Sequence, residues 1–162
     1  MNPIETIAPS EIRKAALQKY NSYGSEWEKA YFDKFSGGYI VIDKQRIEQG
    51  NINKQEKEKY DREFNMCQIL AKNGYKVEYL KLTEGSFDIK LNGISADLKK
   101  TASHNNILDY AKKAVYKQGA KLVIFEFEKE TAHIKEELKK LKEKGISIKY
   151  YFSNNTNKIK DL

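Results

Sequence analysis

Two aspartates and a lysine in the stretch FDIKLNGISADLKK, residues 87–100, are the side chains best placed to carry out chemistry. The Asn-Gly dipeptide between two alternating apolar runs predicts a two-residue β-hairpin, because both central residues of a type I′ turn need positive φ. With that turn, Asp88 faces Asp97 across the hairpin. The period of two places both aspartates and Lys99 on the face opposite the apolar side chains.

This predicted pair of carboxylates is unfavourable unless something lies between them. Directly opposed Cβ atoms lie roughly 4.5–5.5 Å apart in a hairpin, and like charges there destabilise it. At an effective dielectric of about 20, two carboxylates about 5 Å apart repel by roughly 3 kcal/mol. A divalent cation would turn the repulsion into coordination, and Lys99 would then stabilise an anionic transition state or orient a water molecule. The alternative interpretation is an ordinary solvated polar face.

The charge of the chain favours a polyanionic partner. The net charge is +7, from 30 Lys and Arg against 23 Asp and Glu. Nearly all of the positive charge is lysine, which suits contact with a phosphate backbone better than bidentate recognition of bases. A lysine-rich solvated surface would give the same composition, so charge alone does not decide the function.

Cysteine content and hydropathy exclude several classes of protein. The chain has one cysteine, Cys67, which rules out an internal disulfide and a multi-cysteine zinc cluster. Neither an apolar run of about 18 residues nor an apolar signal region occurs, so we expect no membrane segment in this chain. The chain could still be a piece of a larger secreted protein.

The order of predicted elements indicates an α/β fold. After an N-terminal region, the patterns predict a helix, a three-strand meander, a helix, a strand, a helix and a strand. Alternation of strands and helices from Asp97 onward implies parallel pairing and right-handed crossovers. The predicted elements before the hairpin are a helix at 10–20 capped by Ser10, a helix at 25–35, a strand at 39–43, a loop at 43–58, a helix at 55–73 and a strand at 75–82. Those after it are a helix from a Ser103 cap to before Gly119, a strand at 121–127, a helix capped by Thr131 and a strand at 146–152.

Glu63 lies on the predicted helix at 55–73. It precedes Cys67 by four residues and borders the apolar stripe that includes Leu70. We therefore expect Glu63 to point toward the sheet, although a helical glutamate is often solvated.

The spacing of Asp88 and Asp97-Leu98-Lys99 resembles the D…(D/E)-x-K signature of the PD-(D/E)XK nuclease superfamily, whose core has the same element order. Phe87 stands where that family has its initial proline. The resemblance implies a restriction-endonuclease-like α/β fold, α-β-β-β-α-β-α-β, in which helices flank a mixed central sheet.

A closer resemblance covers roughly residues 37–152. The segments GGYIVID, LAKNGYKVEYL, FDIKLNGISADLKKTASHNNI, YAKKAVYKQGAKLVIFEFE and ELKKLKEKGISIKYYF resemble the C-terminal nuclease domain of CdiA proteins, the toxins of contact-dependent growth inhibition. Similar domains occur in mobile-element and phage-head-associated proteins. We therefore divide the chain into an N-terminal helical extension, 1–36, and a nuclease domain, 37–162.

That resemblance implies metal-dependent cleavage of nucleic acid, often transfer RNA, and neutralisation by a cognate immunity protein. By position, Glu63, Asp88 and Asp97 would be the acidic catalytic set, and Lys99 the lysine. The expected ion, Mg²⁺ or Mn²⁺, would be held by Asp88, Asp97 and the carbonyl of Leu98, with Glu63 binding directly or through water. Zn²⁺ becomes an option if His104 also binds. Such a toxin would act in the bacterial cytoplasm, after delivery into a target cell as part of a larger secreted protein.

The predicted nucleic-acid track follows the helix after the motif. From Lys99 to Lys117 the chain carries five lysines and one acid, Asp109. Side chains near the helix N-terminus favour phosphate oxygens, although a solvated helix face is the alternative. The predicted contacts are Lys100, Thr101, Ser103, His104, Asn105, Lys112, Lys113, Lys117 and Gln118, of which Gln118 could instead cap the helix.

Three rival functions remain open at this point. A DNase would use the same catalytic set. A non-catalytic nucleic-acid-binding domain of a mobile-element or phage protein would keep the fold and lose the reaction. A structural phage or conjugation protein would bind no nucleic acid. The sequence leaves the oligomeric state open.

Overall fold

The structure, a computed structural model, describes residues 8–162 and divides into two compact units. The first contains 8–82 and 89–93; the second contains 83–88 and 94–162. The part of the predicted N-terminal extension that precedes residue 8 lies outside the described residues. The elements in chain order are α1 Ser10–Asn21, β1 Trp27–Phe32, β2 Tyr39–Asp43, α2 Lys44–Gly50, α3 Lys54–Lys72, β3 Lys76–Tyr79, β4 Ile89–Leu91, β5 Ile94–Thr101, α4 Ile107–Tyr116, β6 Leu122–Phe127, α5 Ala132–Glu143, β7 Ile148–Phe152 and β8 Asn155–Asp161.

The first unit is a mixed four-strand arrangement with α3 packed against it. Strand β2 pairs antiparallel with β1 and parallel with β3, and β3 pairs antiparallel with β4. Helix α3 packs on β2 and β3 through a buried stripe that includes Cys67, Leu70 and Ala71. The helix begins at the Asn53 cap, whose side chain accepts the backbone N–H of Glu56 at 2.8 Å. This agrees with the helix predicted at 55–73.

A glycine sets how closely α3 approaches β2. A Cβ atom built on Gly38 would lie 1.8 Å from the carbonyl oxygen of Ala71, far inside any contact distance. Because the Ala71 carbonyl is a backbone group and the added Cβ is fixed to the backbone of residue 38, no side-chain rotation could relieve the clash.

The Asn92-Gly93 turn has the predicted conformation. Both residues have positive φ, 49° for Asn92 and 83° for Gly93, as a type I′ turn requires. Asn92 also exchanges two hydrogen bonds of 2.8 Å with the backbone of Lys76, one through its own N–H and one through its side-chain oxygen. The turn is therefore anchored to the start of β3.

The second unit has two parallel pairings and one antiparallel pairing. Strand β6 pairs parallel with β5 and with β7, and β7 pairs antiparallel with β8. All six residues of β6 are buried, as its continuous apolar run predicts. Helices α4 and α5 contribute Ile107, Ile134 and Leu138 to the core, against Phe125 and Phe127 of β6. Thr131 caps α5 as predicted, since its side chain accepts the backbone N–H of Ile134 at 3.1 Å.

The order from α3 to β7 is a helix, three strands, a helix, a strand, a helix and a strand, which confirms the predicted α/β core and its mixed strand directions. The described helices include none that is long and apolar enough to cross a membrane.

Four predictions about single elements were wrong, and one strand was missed. Residues 27–32 form β1 rather than a helix, because pairing with β2 outweighs the helical propensity of Glu, Lys and Ala. The predicted loop at 43–58 contains α2, which Asp43 caps. Helix α4 starts at Ile107, not after a Ser103 cap. The N-cap position of α1 is taken by Pro9, and Ser10 is the first helical residue. Strand β8 was not predicted at all.

We expect Gly38→Ala to lower the free energy of unfolding by about 2 kcal/mol or more, because the added methyl group meets the Ala71 carbonyl. Urea unfolding followed by circular dichroism would measure this. Gly24→Ala is the matched control, since its Cβ would meet only the movable carboxylate of Glu26 at 2.9 Å. Equal stability of the two variants would contradict the packing argument.

Candidate active site

Asp88 and Asp97 come together in the second unit. The side chain of Asp97, on β5, is fully buried, and neither of its oxygens has a hydrogen-bond partner. Asp88 lies one residue before β4. Its backbone N–H donates to the carbonyl of Ala96 at 3.2 Å, and its Oδ2 accepts the backbone N–H of Leu98 at 2.9 Å. Strand β5 thus fixes Asp88 beside Asp97.

The surroundings of this pair differ from the prediction. Both aspartates were expected within strands and on a solvated face. Instead, Asp88 precedes its strand, and Ala96, Asp97 and Leu98 are all buried, so that both faces of β5 are covered at this point. Ile94, expected on the core face, is 48% exposed. The aspartates therefore meet in a less polar environment than a hairpin surface provides.

The protonation of Asp88 reflects these surroundings. Burial, together with repulsion by the Asp97 carboxylate, raises the pKa of Asp88 to about 7, although the Leu98 N–H and the Lys99 ammonium act to lower it. A carboxyl group whose pKa lies near 7 gains and loses its proton close to neutral pH, a property common among catalytic carboxylates.

Lys99 lies beside this pair. Its Nζ is 4.0 Å from Oδ2 of Asp97, and its side chain is 27% exposed. The ammonium group also lies 5.7 Å from the centre of the Tyr110 ring on α4. Lys99 therefore lies between the buried carboxylate of Asp97 and the protein surface, and its catalytic role remains a prediction. The contact with Tyr110 was not predicted, because nothing in the sequence around Tyr110 indicates a role in the site.

Glu63 lies in the first unit. It is buried on α3, and its Oε1 accepts a hydrogen bond of 3.0 Å from the hydroxyl of Tyr79 on β3. This confirms that it points toward the sheet. Nη2 of Arg46, on α2, lies 3.4 Å from the same oxygen. Neither contact was predicted, and residues 43–58, which include Arg46, were interpreted as a loop. The catalytic role of Glu63 remains a prediction.

The described residues offer only a partial donor set for the expected metal ion. In residues 8–162, no group of three or more His, Cys, Asp or Glu side chains is arranged to hold a metal. Asp88 and Asp97 nevertheless fit a hard cation, because the two oxygens of Asp97 lack donors and Mg²⁺ often binds one or two carboxylates while keeping several waters. The Leu98 carbonyl stays a predicted ligand. The backbone N–H of Leu98 has a separate role, because it donates to the carboxyl group of Asp88.

The loop between β5 and α4 is fixed by short-range hydrogen bonds. Thr101 Oγ1 donates to the carbonyl of Ser103 and accepts its N–H, both at 3.1 Å, and Ser103 Oγ accepts the N–H of Asn105 at 3.0 Å. Helix α4 begins only at Ile107, so these residues precede its N-terminus and Ser103 does not cap it. The ring of His104 stacks on that of His133, with centroids 4.5 Å apart.

The expected lysine track has unequal members. Lys100 pairs with the buried Glu126 at 3.0 Å, and Glu126 also accepts hydrogen bonds from the hydroxyls of Tyr151 at 2.6 Å and Ser153 at 2.9 Å. Burial acts to raise the pKa of Glu126, but these hydrogen bonds and the Lys100 charge lower it overall. Lys100 is thus largely neutralised.

The remaining predicted contacts lie on or just after α4. Lys113 and Lys117 are exposed and Lys112 is half-buried. Lys117 rather than Gln118 is the C-cap residue. Gln118 is half-buried, and its Oε1 has no hydrogen-bond partner. Binding of nucleic acid by these side chains remains a prediction.

Comparison with known proteins bears on the fold. No protein-family model and no curated protein matches the sequence. A solved chain from the CdiA-CT/CdiI toxin and immunity complex of Burkholderia pseudomallei matches with a TM-score of 0.51 and 17% sequence identity, covering 69% of this chain and 89% of that chain. The chain shares its fold with a component of that complex. The resemblance predicted from the sequence is therefore confirmed at the level of the fold.

We expect Asp97→Asn to stabilise the protein at alkaline pH. Because the pKa of Asp88 lies near 7 in the folded chain and near 3.8 ordinarily, the folded state keeps a proton that the unfolded chain has lost between these values. The free energy of unfolding of the wild type therefore falls as pH rises through this window. Removing the Asp97 charge should raise it by about 1–3 kcal/mol near pH 8 and by little near pH 4.

Denaturant unfolding at several pH values would measure this difference. Asp61→Asn is the control, since Asp61 is 58% exposed and pairs only with Lys57 in the contacts described; it should change stability by less than about 1 kcal/mol at any pH. A gain for Asp97→Asn that is the same at both ends of the pH range would show that repulsion from Asp88 is not its cause.

Proposed function

We propose that this chain is a metal-dependent nuclease that hydrolyses phosphodiester bonds, with transfer RNA as its substrate. One observation carries the proposal: Asp97 is fully buried with two unpartnered oxygens, faces a second carboxyl group of raised pKa and has an ammonium group at 4.0 Å. This arrangement is destabilising in a resting protein. It is useful where a cation and a phosphate must be brought together.

The proposed reaction assigns a role to each of these groups. Asp88 and Asp97 would hold the divalent ion, preferably Mg²⁺ or Mn²⁺ because all the donors are oxygens. When bound, such an ion lowers the pKa of water and offsets charge on the scissile phosphate. Asp88 must release its proton before both carboxylates can bind. Lys99 would stabilise the extra negative charge on the phosphate oxygens in the transition state.

The proposed biological role is that of a toxin domain. The fold shared with a component of a CdiA-CT/CdiI toxin and immunity complex supports this role. We infer that a cognate immunity protein binds this chain, and that the chain acts in the cytoplasm of a target bacterium after delivery within a larger protein. With a net charge of +7, an acidic surface on the immunity protein would complement it.

We expect purified protein to cleave transfer RNA in the presence of Mg²⁺ or Mn²⁺ and to lose this activity with a chelator. Asp97→Asn should abolish cleavage, because one of the two cation ligands is lost. Lys99→Met should lower kcat by about 100-fold or more. Gel analysis of labelled transfer RNA would measure both effects, and Lys129→Met, at an exposed lysine, is the control for loss of charge.

Parallel incubations with DNA distinguish a DNase from the proposed ribonuclease. Tight binding of RNA without cleavage, unchanged in Asp97→Asn, would instead identify a binding domain. Absence of any salt-dependent binding to RNA or DNA would favour a structural protein.

Cation binding should be measurable without the reaction. We expect Mn²⁺ to raise the melting temperature of the wild type, and to do so more strongly as the pH rises through about 7, the value to which the pKa of Asp88 is raised. Asp97→Asn should show no such increase, whereas Lys99→Met should retain it. An equal Mn²⁺ effect in the wild type and Asp97→Asn would place cation binding elsewhere.

A further inference from the structure

Arg46 is an unusual buried side chain in the first unit. It has no solvent exposure, and its Nε and Nη1 atoms have no hydrogen-bond partner. Its Nη2 atom lies 3.4 Å from Oε1 of Glu63. Charge-assisted bonds of this kind usually measure about 2.7–2.9 Å, so even this contact is long.

Two tyrosines enclose the guanidinium group. Its central carbon lies 5.3 Å from the ring centre of Tyr60 and 5.0 Å from that of Tyr79, and the two rings stack 5.5 Å apart. The hydroxyl of Tyr79 donates to the same Glu63 oxygen that Arg46 approaches, at 3.0 Å. The guanidinium group of Arg46 and the hydroxyl of Tyr79 therefore both approach the same carboxylate oxygen of Glu63.

Stability does not account for this arrangement. Burying a guanidinium group with two nitrogens unpaired costs free energy. A buried ion pair can often be replaced by apolar residues of similar volume without loss of stability. An arginine at this position is thus better explained by what it does to Glu63 than by what it adds to folding.

The local fold delivers Arg46 to this place. Asp43 ends β2 and caps α2, since its side chain accepts the N–H of Gln45 at 2.9 Å. At the other end of α2, a Cβ atom on Gly50 would lie 3.0 Å from Cβ of Tyr60, so the absence of a side chain there lets α2 pack closely on α3. Arg46 and Glu63, 17 residues apart, meet as a result.

We propose that Arg46 and Tyr79 are positioning residues for the carboxylate of Glu63. The guanidinium and the hydroxyl hold Oε1 between them and so select one orientation of the carboxylate for its part in the nuclease reaction. This inference rests on the proposed function and on the catalytic role that the sequence analysis predicts for Glu63. It makes α2, the helix that the sequence did not predict, part of the functional machinery.

Kinetics on single and double variants would test the proposal. Arg46→Met should lower kcat by about 10–100-fold with little change in KM, as is typical when a side chain that orients a functional group is removed. Tyr79→Phe, which removes only the hydroxyl, should lower kcat by a smaller factor. Glu63→Gln should lose at least as much as Arg46→Met.

The decisive comparison is Arg46→Met in the Glu63→Gln background. If Arg46 acts only through Glu63, the double variant should be no slower than Glu63→Gln alone. Full kcat in Arg46→Met, or losses that multiply in the double variant, would overturn the proposal. If Arg46→Met does not fold, Tyr79→Phe in the same background provides the same test, because its ring and packing are kept.

The two proposals fail in different ways. Wild-type cleavage by Asp97→Asn would refute the proposed nuclease site itself. Loss of cleavage in Asp97→Asn together with full kcat in both Arg46→Met and Tyr79→Phe would refute only the positioning role.

Discussion

In the second unit the carboxyl groups of Asp88 and Asp97 lie close together, and that of Asp97 has no access to water. Asp97 has no solvent exposure and no donor for its oxygens, and Asp88 responds with a raised pKa. Such a pair opposes folding, so other contacts must hold it in place. The backbone of Ala96 and Leu98 fixes Asp88 from two sides, and Phe87 packs against the hydrophobic core of the same unit. The core thus stabilises a site that is unfavourable by itself, which is common where function needs strained electrostatics.

Charge near this pair is distributed less evenly than a count of lysines suggests. Lys99 faces Asp97 at 4.0 Å and remains partly exposed. Lys100, the next residue, forms an ion pair with Glu126, which also accepts hydrogen bonds from Tyr151 and Ser153. Neighbouring lysines therefore have different environments because successive side chains of β5 point to opposite faces. The run is therefore not one uniform positive surface, since Lys100 pairs with Glu126 whereas Lys113 and Lys117 are exposed.

The sequence predicted those parts of the fold in which local pattern and tertiary environment agree. The apolar run of β6, the Asn-Gly turn and the Thr131 cap each carry a strong local signal, and all three were found as predicted. Residues 27–32 have a composition that suits a helix, yet they pair with β2, which only the folded chain makes available. Burial of Asp97 was also unpredictable, because alternation within a hairpin distinguishes its two faces and does not reveal whether both are covered.

The helix α2 shows most clearly why a site can escape sequence analysis. Residues 43–58 lack an apolar stripe because the side chain that α2 buries at its centre is Arg46, a charged residue. A hydrophobicity pattern reads a buried arginine as solvated, so the segment resembles a loop. The partner that makes its burial tolerable, Glu63, belongs to another helix and is equally polar. Periodicity predicted the inward direction of Glu63 from its apolar neighbours, but it gave no sign of Arg46, because each charge is tolerated inside the protein only with the other.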